Sequence, residues 1–316
     1  MERKNTMAVH HLNEEVQGNF HYTIGPYSKP VMTVDPGDTI VIETLDAFGG
    51  KIRDEKTKPS QVLEFPNVNP LNGPIFVKGA EKGDSLAVHI KAISPRGPQP
   101  RGTSCLIPFF GGLTGTKKSP TLQEPLPEIV YKVEITEHDI IWRDRIRFPY
   151  DPFVGTIGTS PEIDSINSLT PESHGGNMDL PNVRPGNTIY LPVNTDGALL
   201  FVGDCHATQG DGELCGVAIE FPTVTTLDLD LVKGWSIEWP RIESEEYIMS
   251  VGSGRPMEDA VKIAFRDLIS WMEEGYGFDR YDAYFILTQT ARVRIGNMVD
   301  PNYSIGASIS KQYLAE

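Results

Sequence analysis

The sequence predicts a mainly β body, sandwich- or barrel-like, carrying a smaller α+β portion near its carboxyl end. Three observations point there. Short apolar runs are punctuated throughout by 30 glycines and 25 prolines, a turn-rich pattern that suits strands better than a helical bundle. A Gly-centred turn feeding an alternating strand recurs three times. Beyond residue 256 the apolar spacing changes from two to three and four, the mark of a helical face.

Taken in order, the recurring device spans Val34 to Ile42, Ala80 to Val88 and Val183 to Leu191. Glycine supplies a positive φ in each turn, and the aliphatic residues that follow fit a pleated face. The copies are irregularly spaced, which excludes a solenoid. Further strands are predicted over 75–78, 129–135, 140–147, 198–202, 214–220, 227–232 and 235–242. The proline-rich stretches 94–104 and 120–127 read as connections. From Met257 to Glu274 the residues Val261, Ala264, Phe265, Leu268, Ile269 and Met272 share one helical face, and Gly275 and Gly277 end it. A second helix over 279–289 and an extended segment over 292–295 follow. These assignments divide the chain into a β-rich body over 1–235 and an α+β portion over 236–316 packed on it.

The formal charge of −15 comes from 43 acidic and 28 basic residues with no basic cluster, which argues against nucleic acid and anionic membrane as partners. No apolar stretch is long enough to cross a bilayer, and Met1 to Asn5 lead into polar sequence without a secretory h-region. Three cysteines, Cys105, Cys205 and Cys215, suit a reducing compartment better than a disulfide scaffold. The expectation is a cytoplasmic protein.

The sharpest chemical feature is the loop from Gly203 through Asp204, Cys205, His206, Gln209 and Asp211 to Glu213. Asp204 and His206 are two apart, so an extended backbone turns both toward one face and makes half of a divalent metal site. A solvated hairpin loop has a similar composition, but a minimal turn needs neither the histidine nor three carboxylates. A second segment, His174-Gly175-Gly176-Asn177-Met178-Asp179, offers a ligand, an amide and a carboxylate, although a lone histidine before Gly-Gly is more often an ordinary loop residue. Third, Asp46 precedes Gly49-Gly50 and either completes a site or caps a turn.

With these segments in view, the chain resembles the acetamidase/formamidase family. The resemblance rests on Gly203 to Glu213, on His174 to Asp179, on Asp46 to Gly50, on Asn72 to Asp84 and on Val154 to Pro161, and spans nearly the whole sequence. It implies a β-rich fold, hydrolysis of formamide or acetamide to ammonia and carboxylate, and a divalent metal. Lys51 follows Gly49-Gly50 where the family's Gln is expected, a departure that bears on substrate preference rather than fold. On ligand chemistry, Asp46, His174, Asp204 and His206 are expected to hold the ion, zinc first and calcium or another divalent ion as alternatives. Glu213 is the expected general base and acid. Asn177 and Gln209 are expected to hold the amide, and Asp179 to orient His174.

Two other readings stand beside this one. A metal-free cysteine amidase would use Cys205, but adjacent strand residues face opposite ways, so His206 is poorly placed to activate it. A non-catalytic β module would bind calcium or a small ligand through oxygen ligands, leaving His206 dispensable. The resemblance and the apolar C-terminal helices also lead us to expect a homo-oligomer, a dimer or larger.

Overall fold

The three Gly-centred turns fold alike and all feed one sheet. Gly37, Gly83 and Gly186 have φ of 91°, 94° and 90°. Each turn closes through the same backbone bond, from Asp38 to Asp35, Asp84 to Glu81 and Asn187 to Arg184, at 3.0–3.1 Å. Glycine at the third turn position is what this geometry demands. The strands that follow, Thr39–Glu43, Ser85–Pro95 and Thr188–Pro192, belong to a nine-stranded sheet. Its order is Val9–Leu12, Thr39–Glu43, Thr223–Val232, Ser85–Pro95, Thr188–Pro192, Arg241–Glu243, Tyr247–Gly254, Tyr303–Ser310 and Arg292–Ile295. Only the first pair is parallel.

This computed structural model describes residues 7–115 and 125–314; Met1 to Asn5 and residues 120–124 of the proline-rich stretch 120–127 lie outside the described residues. Against the large sheet packs a five-stranded one of order Gly175–Asn177, Phe153–Gly158, Leu200–His206, Leu71–Val77 and Met32–Val34. Ile40, Ile42, Val88 and Leu227 from the first sheet share one buried cluster with Ile75, Val154, Leu200 and Val202 from the second. The body is therefore a sandwich, as expected. Ile129–Ile135 forms as predicted, and the stretch 140–147 divides into the hairpin Asp139–Trp142 and Ile146–Pro149.

Behind the C-terminal half of the large sheet lie the helices Met257–Tyr276 and Arg280–Thr290. Ala260, Ala264 and Leu268 meet Ile248, Ile305 and Ile309 in a second buried cluster. The helix comes so close that a Cβ on Gly252 would sit 2.2 Å from the carbonyl oxygen of Ala260. The boundary at residue 235 falls between strands of one continuous sheet, since Thr188–Pro192 pairs directly with Arg241–Glu243. Among the described residues no helix is long and apolar enough to cross a membrane.

Two predicted strands do not form as expected. Residues 214–219 form turns and irregular chain, because Glu213 (φ 47°) and Gly216 (φ 83°) bend the backbone. Of 235–242, only Arg241 and Ile242 are in a strand.

Candidate metal and active site

Leu200–His206 runs through the middle of the five-stranded sheet and delivers Asp204 and His206 to its end. The strand is not flat there. Asp204 has φ 53°, and its register position opposite Phe153–Gly158 is skipped. The Asp204 and His206 side chains still converge, as the two-residue spacing predicts. His206 Nε2 lies 3.5 Å from Asp204 Oδ1, 3.2 Å from Glu220 Oε2 and 4.0 Å from Asp179 Oδ1. All four residues are buried. The close approach depends on Gly155, where a Cβ would meet the Asp204 carbonyl oxygen at 2.5 Å and Asp179 Oδ1 at 2.7 Å.

Those three carboxylate oxygens have no hydrogen-bond donor. Their sister oxygens do. Asn69 Nδ2 donates to Asp204 Oδ2 at 2.7 Å and Asn297 Nδ2 to Asp179 Oδ2 at 3.2 Å. Asn177 Nδ2 holds Asp300 Oδ2 at 2.7 Å. The Ala218 N–H is shared by Glu213 and Glu220, 3.0 Å from an oxygen of each. Each aspartate is thus anchored by one oxygen through an asparagine, and Asp179 and Asp204 leave the other facing His206.

The imidazole is oriented from behind. Gln209 Nε2 donates to the carbonyl oxygens of Asp179 and Gly296, each at 2.9 Å. That commits its Oε1 to accept from His206 Nδ1 at 2.8 Å, so the Nε2 lone pair of the neutral ring points at the three free carboxylate oxygens. Without a proton or a cation between them, such an array is repulsive. Burial disfavours charge on His206, but Glu220 and Asp204 outweigh it and raise its pKa well above the usual value. Burial lifts Glu213 and Asp179 well above the carboxylate range, and Glu220 and Asp300 to about 7. Asp179, Asp204 and Glu213 also hold positive φ, of 47°, 53° and 47°, the strained backbone that persists where a site requires it.

Ligand-capable atoms of Asp179, Asp204 and His206 lie within 4.8 Å of one another. So do those of His206, Glu213 and Glu220, and those of Asp179, Glu213 and Asp300. Two ligands each about 2.1 Å from one ion sit at most about 4.2 Å apart, and the 3.2–4.0 Å spacing around His206 fits that limit. The buried acidic and histidine cluster is one that could hold a metal ion.

Beside it is a cavity of about 30 Å³ whose walls include Asn69, Asn177, Asp204, Glu213, Glu220 and Asp300. A water requires about 10–15 Å³ on this measure, so the space suits a group of very few atoms.

Of the eight residues singled out from sequence, the structure gathers Asp179, Asp204, His206, Glu213, Asn177 and Gln209. Asp179 faces His206 rather than His174. Gln209 lies behind the imidazole, with its amide fully engaged. Asp46 and His174 belong to none of the ligand-capable groups among the described residues. Asp46 Oδ1 caps a turn, accepting from the N–H groups of Phe48 and Gly50. His174 is buried with neither ring nitrogen bonded, and burial lowers its pKa to about 4. Glu220, Asp300, Asn69 and Asn297 were not singled out, since each stands in sequence without a ligand-like neighbour. Cys205 points the other way, into the sandwich core, with Sγ 3.7 Å from Thr225 Oγ1 and its thiol pKa raised by burial.

The acetamidase/formamidase family profile matches residues 5–170 and 162–312. The chain belongs to this family. Its fold is similar to that of an acetamidase from Yersinia enterocolitica, with TM-score 0.97 and 53% identity, covering 99% of this chain and 95% of that one. A predicted acetamidase/formamidase from Thermoanaerobacter tengcongensis gives 0.88 and 28%, covering 98% of each. Among curated relatives, the acetamidase of Mycolicibacterium smegmatis is 29% identical over 258 residues, 64% of this chain and 63% of its own. The chain spans 63–65% of the length of the curated relatives it matches.

Proposed function

We propose that this family member hydrolyses primary amides of small carboxylic acids to ammonia and the carboxylate at a metal-assisted site. The observation that carries the reading is the convergence of three donorless carboxylate oxygens on the His206 Nε2 lone pair, beside a cavity sized for a carboxamide. Asp179, Asp204, His206 and Glu220 would hold a divalent ion. One imidazole nitrogen among the oxygens favours zinc over calcium, which takes oxygen ligands. When bound, the ion supplies Lewis acidity, polarising a carbonyl and making water more acidic.

The chain's own residues supply the proton path. Glu213 lines the cavity with its carboxylate tethered by the Ala218 N–H, and burial gives it the high proton affinity of a good general base. It accepts a proton from the attacking water as the C–O bond forms. It then delivers that proton to the amide nitrogen as the C–N bond breaks, so that ammonia leaves. Asp300, on the same wall, would be a second carboxyl group on the proton path. Asn177 contributes to the cavity wall while holding Asp300, and Gln209 fixes the His206 tautomer.

The test combines metal analysis, with and without chelator, and ammonia release from formamide and acetamide. His206→Ala is expected to lose both metal and turnover. If it keeps both, the site is misassigned. Cys205→Ala is expected to retain turnover; its loss at unchanged metal content would establish the cysteine mechanism instead.

A further inference from the structure

The catalytic cavity does not end at its own walls. Leu63, Phe65, Ile107, Phe110, Leu169 and Asp300 line both it and a neighbouring groove of about 940 Å³. All but Asp300 are apolar. The inner cavity, at about 30 Å³, accommodates the reacting carboxamide and little else. The lining that the cavity shares with the groove is apolar but for Asp300, so an acyl chain longer than a methyl group has a path across that rim into the groove. The groove itself is in the size range of small-molecule sites. Aromatic surface stands open along it, with Phe65 49% and Phe109 39% exposed. Phe109 is held there at φ 63°, an outlier for a bulky residue and a sign that the position is imposed rather than relaxed.

We infer that the groove is an acyl-chain subsite, and that the substrates of this enzyme extend to primary amides with a medium-length apolar chain. The inference rests on the proposed amidase reading and names the substrate class of the same site. The reaction is unchanged: water adds to the carbonyl carbon, the C–N bond breaks, and a fatty carboxylate and ammonia leave. Only the tail's resting place is new. Each methylene taken out of water adds to affinity, so preference is expected to grow with chain length until the groove is filled.

The experiment measures kcat/KM for acetamide, butyramide and hexanamide with the metal-loaded full chain. Hexanamide is expected to exceed acetamide about tenfold, mainly through KM, as burial of a few methylenes predicts. Phe109→Gly, which removes the ring and relieves the backbone, is expected to lower the hexanamide-to-acetamide ratio roughly threefold to fivefold. A wild-type ratio at or below one, with acetamide turned over normally, overturns the subsite and leaves the amidase reading intact. A Phe109→Gly variant that keeps the full wild-type ratio overturns it as well. If no amide is hydrolysed, both readings fall.

Discussion

Two buried charged groups, one behind the large sheet and one at the end of the five-stranded sheet, are built on opposite plans. On the helix side, Arg241 is 2% exposed and makes a bidentate pair with Asp267, at 2.9 and 3.1 Å. Its guanidinium stands 5.3 Å and 5.4 Å from the ring centres of Trp235 and Trp271. Charge there is matched by charge and by π-faces. At the end of the five-stranded sheet, Asp179, Asp204, Glu213, Glu220 and Asp300 crowd one histidine, and three of their oxygens have no donor. A completed pair anchors a helix to a sheet, whereas the incomplete array leaves acceptor oxygens free and could hold a cation.

Breaking the completed pair gives the largest expected effect on stability. Arg241→Met leaves Asp267 buried without its partner, which costs about 3–5 kcal/mol. Urea unfolding is expected to report that loss, while kcat per folded molecule is preserved. The double variant with Asp267→Leu removes the orphaned charge and is expected to recover part of it. Equal losses in the single and double variants would mean that the Trp235 and Trp271 contacts, rather than the ion pair, hold the helix.

On the incomplete side, the corresponding lever is Gln209. Its side chain is not part of the cavity wall, yet it fixes which imidazole nitrogen faces the carboxylates. Gln209→Ala is expected to weaken metal affinity about 10–100-fold, measured by competition with a chromogenic chelator. Urea unfolding of the metal-free form should show a separate loss of about 1–3 kcal/mol, since the carbonyl oxygens of Asp179 and Gly296 lose their donor. A variant with wild-type affinity would show that the ring keeps its tautomer unaided.

The same contrast decides what the sequence reveals. The sandwich is legible because each Gly-centred turn announces an alternating strand, and the helices because Val261, Ala264, Leu268 and Met272 repeat at helical spacing. Tyr247–Gly254 is harder to read, since Ser250, Gly252, Ser253 and Gly254 replace alternation with small residues that admit the helix. Within the site, Asp204 and His206 are legible through their spacing. Glu220 and Asp300 are not, because they meet His206 and Asp179 only after the chain folds. Asp46 illustrates the converse: its Gly-Gly context reads equally as a site or as a turn, and its carboxylate Oδ1 takes the N–H groups of Phe48 and Gly50.

Acidity is expected to separate metal-free from metal-loaded protein. Burial pushes Glu220 and Asp300 up to about 7, above their unfolded values near 4. A raised carboxylate binds its proton more tightly in the folded state, so its contribution is present at low pH and lost as pH rises through about 7. Lowering the pH from 8 to 6 should therefore raise the Tm of the chelated protein by roughly 2–4 °C, the equivalent of about 1 kcal/mol in a large domain. With metal bound the slope should reverse, because protons then compete with the ion for the same oxygens. Parallel slopes in both forms would place the ion elsewhere.

The smallest expected effect lies in the turns, where two aspartates are as fully satisfied as Asp267. Asp38 accepts from the N–H groups of Ala8 and Asp35 and meets His10 Nε2 at 2.8 Å. Asp84 accepts from the N–H groups of Glu81 and Gly234 and from Lys233 Nζ. Burial opposes both charges, but these donors outweigh it and lower both pKa values. The sign is opposite to that of the site carboxylates: their contribution is present above the unfolded value near 4 and is lost as pH falls through the lower folded value. The third turn closes with Asn187 in the same place, its Nδ2 donating to the carbonyl oxygen of Asn182 and to the Tyr247 hydroxyl, so the turn does not require a carboxylate there. Asp38→Asn should therefore cost about 1 kcal/mol at pH 7, the loss of one of its two acceptor oxygens at a part-buried turn. It should also flatten the acid limb of the stability curve below pH about 4. A loss as large as that of Arg241→Met would mean that the turn, too, depends on its charge to form.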